Sequence, residues 1–162
     1  MAAAPDDPYS KLRPAPPTPD EEICHCAQLG PIALCDQLSD NPLRCLVCKG
    51  EVAPERLGFD QQLAEAIANW RSVYRSLYLL WLDSGQYEAW AAEMLSDPCG
   101  QVNRTGRELV ERLGAIVPAY YWWFLDVGAD DYAPSDKCPI CGTAVSASDG
   151  NPTTCEACRI AF

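Results

Sequence analysis

The sequence predicts an α+β protein: a small helical body with an aromatic strand, a C-terminal zinc ribbon and a second zinc knuckle site. Three observations carry this prediction. Apolar residues recur at three- and four-residue steps from Leu63 to Trp81, five consecutive aromatics run from Tyr120 to Phe124, and six of the ten cysteines stand in C-x-x-C pairs. A 3.6-residue period marks a helix with one apolar face, and a run of large aromatics favours a strand. A C-x-x-C step lets two thiolates converge on one ion from a tight turn.

The chain begins with Met1 to Glu22, where Pro5, Pro8, Pro14, Pro16, Pro17 and Pro19 interrupt any helix or central strand. Tyr9 and Leu12 are its only large apolar residues, so the segment reads as a disordered, polyproline-like arm. It lacks the basic start and apolar run of a signal peptide. Apolar stretches such as Leu77 to Leu82 are too short to span a bilayer. The expected setting is cytoplasmic, where reducing conditions keep thiols free for metal.

Glu21 to Val52 carries Cys24, His25, Cys26 and Cys35, then the pair Cys45/Cys48 followed by Lys49-Gly50. The pair needs two further ligands. Cys24 and Cys26 are the expected ones, with His25 or Cys35 as alternatives. A glycine just past the second cysteine suits a turn whose amides point at the sulfurs; the pattern recurs at Cys138-Pro-Ile-Cys141-Gly142 and is missing at Cys155-Glu-Ala-Cys158-Arg159.

From Asp60 the apolar period predicts a helix of about six turns, with Leu63, Ala66, Ile67, Trp70, Val73, Tyr74, Leu77, Leu80 and Trp81 on its apolar face, stopping at Ser84-Gly85. A shorter helix follows with Tyr87, Trp90, Ala91, Met94 and Leu95 on one face, ended by Asp97-Pro98. Thr105-Gly-Arg-Glu108 reads as a capping box opening a third helix that carries Leu109, Leu113, Ile116 and Val117 and stops at Pro118. Ala119 to Val127 is the expected strand, with Tyr120, Trp122 and Phe124 on one face and Tyr121 and Trp123 on the other. The aromatics recur at core spacing, so the helical body and strand should bury most of them. Arg71 and Arg75 share a helix edge and read as solvated surface. Gly128 to Asp136 is a polar linker. The implied organisation is an arm over 1–22, a knuckle segment with helical body over 23–136, and a zinc ribbon over 137–162.

In that last segment Cys138, Cys141, Cys155 and Cys158 form two knuckles around Asp149-Gly150-Asn151-Pro152, a strong turn signal that folds one knuckle back on the other. Four thiolates so placed suit a tetrahedral zinc ion, and rubredoxin-like iron uses the same cage. A four-cysteine site is coordinatively full, so its expected role is structural. Cys99 stands alone and reads as a non-ligand.

The formal net charge is −11; the arm contributes −3, leaving −8 on the body. Nucleic-acid binding usually leaves a basic footprint, and this balance points instead to a protein partner. The residues after His25 lack the glutamate of the nucleobase deaminases, and no G-x-S-x-G, Walker loop or G-x-G-x-x-G occurs. The expected function is a zinc-binding, non-enzymatic interaction module. The competing readings are a nucleic-acid-binding zinc-ribbon protein, a thiol-redox or metal-handling protein using the N-terminal cysteines, and an enzyme with an open metal at His25.

NPLRCLVCKGEV, the helix with Trp70 and Tyr74, GRELVERLGAIVPAYYWWF, CPICG and CEAC together resemble a family of uncharacterised bacterial proteins described as zinc-ribbon-containing, with a nucleic-acid-binding role suggested for them. The resemblance covers roughly Asn41 to Phe162. It implies Cys138, Cys141, Cys155 and Cys158 as zinc ligands and Cys45/Cys48 as a second pair.

Overall fold

The protein is described by a computed structural model over residues 18–128, 135–145 and 152–162. The expected arm up to Pro17, most of the expected linker and the Asp149-Gly150-Asn151 turn lie outside the described residues. In chain order the elements are β1 (Ile32–Leu34), β2 (Leu43–Cys45), α1 (Gln61–Asp83), α2 (Glu88–Ser96), α3 (Gln101–Leu113), β3 (Ala119–Trp122), β4 (Thr154–Cys155) and β5 (Ile160–Ala161). The architecture is α+β.

Helix α1 starts where the periodicity does. The Asp60 side chain accepts a hydrogen bond from the Leu63 amide at 2.8 Å and caps the first turn. Leu63, Ile67, Trp70 and Tyr74 are its buried residues, at predicted steps, while Val73, expected on the same face, sits at its edge and is exposed. In α2 only Ala91 and Leu95 are buried; Tyr87 and Trp90 are about half exposed, so these two aromatics leave the expected core. A nine-residue helix lying along α1 presents too narrow a face to bury them too.

Helix α3 corrects the capping-box expectation. It begins at Gln101 behind Gly100, so Thr105 lies inside the helix, where its hydroxyl accepts from the Gln101 side-chain Nε2. The start is fixed instead by Asn103, whose side-chain amide donates to the Leu95 and Asp97 carbonyls at 2.9 and 2.8 Å. Those carbonyls lie at and just past the end of α2, and a helix leaves its last carbonyls without partners of its own. Ile116, expected on the apolar face, lies beyond the last helical turn and is exposed.

The strands form one five-stranded sheet in the order β2-β1-β3-β5-β4, with β1–β3 and β3–β5 parallel and the outer pairs antiparallel. Leu34 stands opposite Tyr121, and Tyr121 opposite Ile160. These residues, with Ile32, Leu43 and Cys45, face the helices and build the main core. Ala33, Cys35 and Ala161 form a second apolar cluster on the other face, with Tyr120 and Trp122 packed against it. The alternation expected from Tyr120 to Trp123 holds. Phe124 departs from it: pairing to β5 ends at Trp122–Ala161, and Phe124 turns into the main core edge-on to Trp81, with ring centroids 5.0 Å apart. Because β5 lies beside β3, the terminal cysteine segment shares its sheet and core with the body.

Arg71 and Arg75 are not the solvated pair the sequence suggested. Arg75 donates to both oxygens of Asp36, at 2.6 and 2.9 Å, and Asp36 is 1 % exposed. Both arginines also donate to the Ser39 carbonyl. They fasten α1 to the β1–β2 connection. A carboxylate drawn out of water needs such partners.

Candidate metal centres

Two groups of four thiols converge. The ligand atoms of Cys24, Cys26, Cys45 and Cys48 lie within 4.8 Å of one another, as do those of Cys138, Cys141, Cys155 and Cys158. A tetrahedral zinc with Zn–S bonds of about 2.3 Å sets its sulfurs ~3.8 Å apart. The Cys141 and Cys155 sulfurs are 3.7 Å apart, which fits that cage. Both clusters could hold a metal ion, and the all-thiol donor set suits zinc or iron. All ten cysteines are free thiols.

The three C-x-x-C turns share one backbone design. The residue after the second cysteine takes the left-handed conformation each time: Lys49 (φ 64°), Gly142 (φ 71°) and Arg159 (φ 49°). Its amide returns to the carbonyl of the first cysteine at 2.9 Å in the first two turns, Lys49 to Cys45 and Gly142 to Cys138. The first cysteine then meets the residue five places on: Cys45 donates to the Gly50 carbonyl, Cys138 to that of Thr143, and Cys155 pairs with Ile160 across β4–β5. The expectation that glycine marks this position holds for Gly142 alone. A lysine and an arginine accept the left-handed strain elsewhere, at a cost of about 1 kcal/mol each, held there by the surrounding turn.

Gly50 has a different role. A Cβ there would lie 2.8 Å from the Cys24 amide nitrogen and 2.9 Å from the Ile23 carbonyl carbon. Its absence lets the Ile23–Cys24 segment cross the knuckle. Ile23 bridges to Glu51 in parallel, and the Cys24 amide donates to the Glu51 carbonyl at 2.7 Å. The same pairing brings Cys24 and Cys26 to Cys45 and Cys48.

His25 and Cys35 stand apart from this cluster. The His25 ring pairs through Nε2 with the Asp20 carbonyl, and Cys35 is buried on the far face of the sheet. Cys99 is exposed in the turn before α3. Arg56 is a neighbour that sequence reasoning missed. Its Nη1 donates to the Cys24 carbonyl at 2.8 Å and lies 3.4 Å from the Cys24 sulfur, and its Nη2 donates to the Cys26 carbonyl. Nothing in the spacing from Cys48 to Arg56 marks it. Only the short 3-10 turn Pro54–Arg56 swings it back.

The thiols of each cluster differ in acidity. Burial works to raise Cys24, but hydrogen bonds from the Cys26 amide and the neighbouring thiols outweigh it and bring Cys24 down to about 7. The Thr143 hydroxyl and amide lower Cys141 to about 6. In the same clusters the Cys48 and Cys24 thiols push Cys26 up to about 12, and burial with its thiol neighbours does the same to Cys158. One thiolate forms easily in each cluster and opposes the rest. A bound cation relieves that opposition.

The clusters sit at the two edges of the sheet. Cys45 ends β2, one outer strand, and Cys155 ends β4, the other. Among the described residues no helix is long and apolar enough to cross a membrane. No family model, no curated protein and no solved structure matches the chain.

Proposed function

We propose that the chain is a non-enzymatic interaction module, shaped by two structural zinc ions, that binds a protein partner in a reducing compartment. The observation behind it is the donor count. Each cluster supplies four thiols to an ion that takes four ligands, so neither site keeps a position open for water or substrate. The histidine that could have opened the first site is engaged elsewhere. In this reading the C-terminal segment does the work of a zinc ribbon and the first cluster that of a knuckle site, and the ions hold two short-stranded edges in place. The net charge of −11 supports a protein partner over nucleic acid.

The test is metal content by mass spectrometry, with thiol counting, on anaerobically purified protein. Two zincs per chain are expected. One zinc, with Cys24, Cys26, Cys45 and Cys48 open to alkylation, would transfer the first cluster to thiol chemistry. Iron in either site would revise the metal. Tight, steeply salt-dependent binding to DNA or RNA would overturn the protein-partner part.

A further inference from the structure

The sheet face opposite the helices carries features that metal binding does not use. Its centre is small: Ala33 and Ala161 flank the two aromatics Tyr120 and Trp122. Beside Trp122 a cavity of about 400 Å³ opens between the ring and the first knuckle, floored by Cys35 and Leu46 and rimmed by Arg44 and Lys49. Arg44 faces this side because β2 alternates, with Leu43 and Cys45 turned to the core. Lys49 reaches the rim from the left-handed position of the knuckle.

Two properties of this cavity select a ligand. The first is charge. Arg44 and Lys49 make no ion pair and no side-chain hydrogen bond among the described residues, although the chain has 23 acids and 12 bases. The described lining of this cavity contains no carboxylate, whereas Glu21, Glu22, Asp40 and Glu51 line the adjoining groove on the other side of Arg44 and Lys49. The second is shape. An aromatic wall over an apolar floor, at the small end of the size range of ligand pockets, holds one large side chain and a polar neighbour. Buried aromatic and arginine groups of this kind dominate the energetics of protein interfaces.

We propose that this cavity is the docking pocket for a partner-protein segment that lays a large apolar or aromatic side chain on Trp122 and sets an adjacent carboxylate between Arg44 and Lys49. The inference rests on the protein-interaction reading above. A nucleic-acid strand is the less favoured occupant: two cations suit one or two negative charges, while an acidic surface repels a long polyanion.

The experiment is a ¹⁵N NMR titration of the zinc-loaded full chain with three probes: N-acetyl-Asp-Phe-amide, N-acetyl-Lys-Phe-amide and an oligo-dT strand. The Trp122 indole resonance is assigned from Trp122→Phe. The Asp-Phe probe is expected to shift that resonance and the amides of β2 and Lys49 with millimolar affinity, and the Lys-Phe probe to bind about ten-fold more weakly. Arg44→Glu should weaken Asp-Phe about ten-fold while zinc content and spectral dispersion stay unchanged. Equal binding of both dipeptides, or no shift with Asp-Phe at about 10 mM, overturns the pocket. That result leaves the wider protein-partner reading standing. Tighter, salt-sensitive binding of oligo-dT through the same residues overturns both.

Discussion

Tyr121 donates its hydroxyl to Asn103 Oδ1 at 2.8 Å, and both residues are fully buried. The bond joins the central strand of the sheet to α3, and the Asn103 amide carries it on to the end of α2. Burial holds the Tyr121 phenol well above its ordinary range, so it acts only as a neutral donor. Tyr121→Phe should cost about 1–2 kcal/mol, because it leaves one buried acceptor unpaired. Asn103→Ala should cost about 3 kcal/mol or more, since two carbonyls and the phenol lose their partner together. Chemical denaturation of the metal-loaded protein would check the order.

Gly106 lies in α3 against the same tyrosine. A Cβ there would stand 2.2 Å from Tyr121 Cε2 and 2.9 Å from Trp70 Nε1. Alanine favours a helix by about 1 kcal/mol over glycine. Gly106→Ala should nonetheless destabilise the protein by about 1–3 kcal/mol through overpacking and alter the near-ultraviolet dichroism of Trp70.

Arg75 and Asp36 form a clamp with unequal halves. Arg75→Ala should cost about 3 kcal/mol, because Asp36 is then a buried charge served by Arg71 alone at 3.7 Å. Asp36→Asn should cost less, since it removes the charge and the need for its partner together. A denaturation series on both variants would show the difference.

Arg56 offers its charge beside the Cys24 sulfur. Arg56→Ala should weaken metal at the first cluster by about 10–100-fold and leave the second unaffected. Competition with a chromophoric chelator, read as one early and one late zinc, would separate the two. Acid should release both ions, because binding displaces thiol protons and affinity falls as pH falls.

Cys35 and Cys99 are the two thiols outside the clusters. Burial pushes Cys35 up to about 12, while Cys99 is exposed. At pH 8 one thiol of the zinc-loaded protein should alkylate quickly, at Cys99, and Cys35 only after unfolding. The raised Cys35 value also gives a sign. Its contribution is constant below the ordinary thiol value of 9.0, then declines as pH rises towards about 12, because the unfolded chain ionises first. Cys35→Ala should flatten that alkaline decline.

Features that depend only on neighbours along the chain are legible before any folding. The apolar steps of α1, the alternation of Tyr120 to Trp123 and the pairs Cys138/Cys141 and Cys155/Cys158 are local patterns, set by helix pitch, strand pleat and turn geometry. The remaining features are contacts between distant parts of the chain. Which donors join Cys45 and Cys48 depends on the Ile23–Glu51 bridge and the close crossing of Gly50 over Cys24, contacts across 28 and 26 positions that no period marks. The true start of α3 depends on Asn103 reaching across to α2, and the role of Arg75 on a carboxylate 39 residues away. Arg56 beside Cys24 and the placing of Arg44 and Lys49 beside Trp122 belong to the same class. A periodicity reports which face of an element is apolar. It carries no information about which distant backbone or side chain that face will meet, because that is chosen by packing and by the need of every buried polar group for a partner.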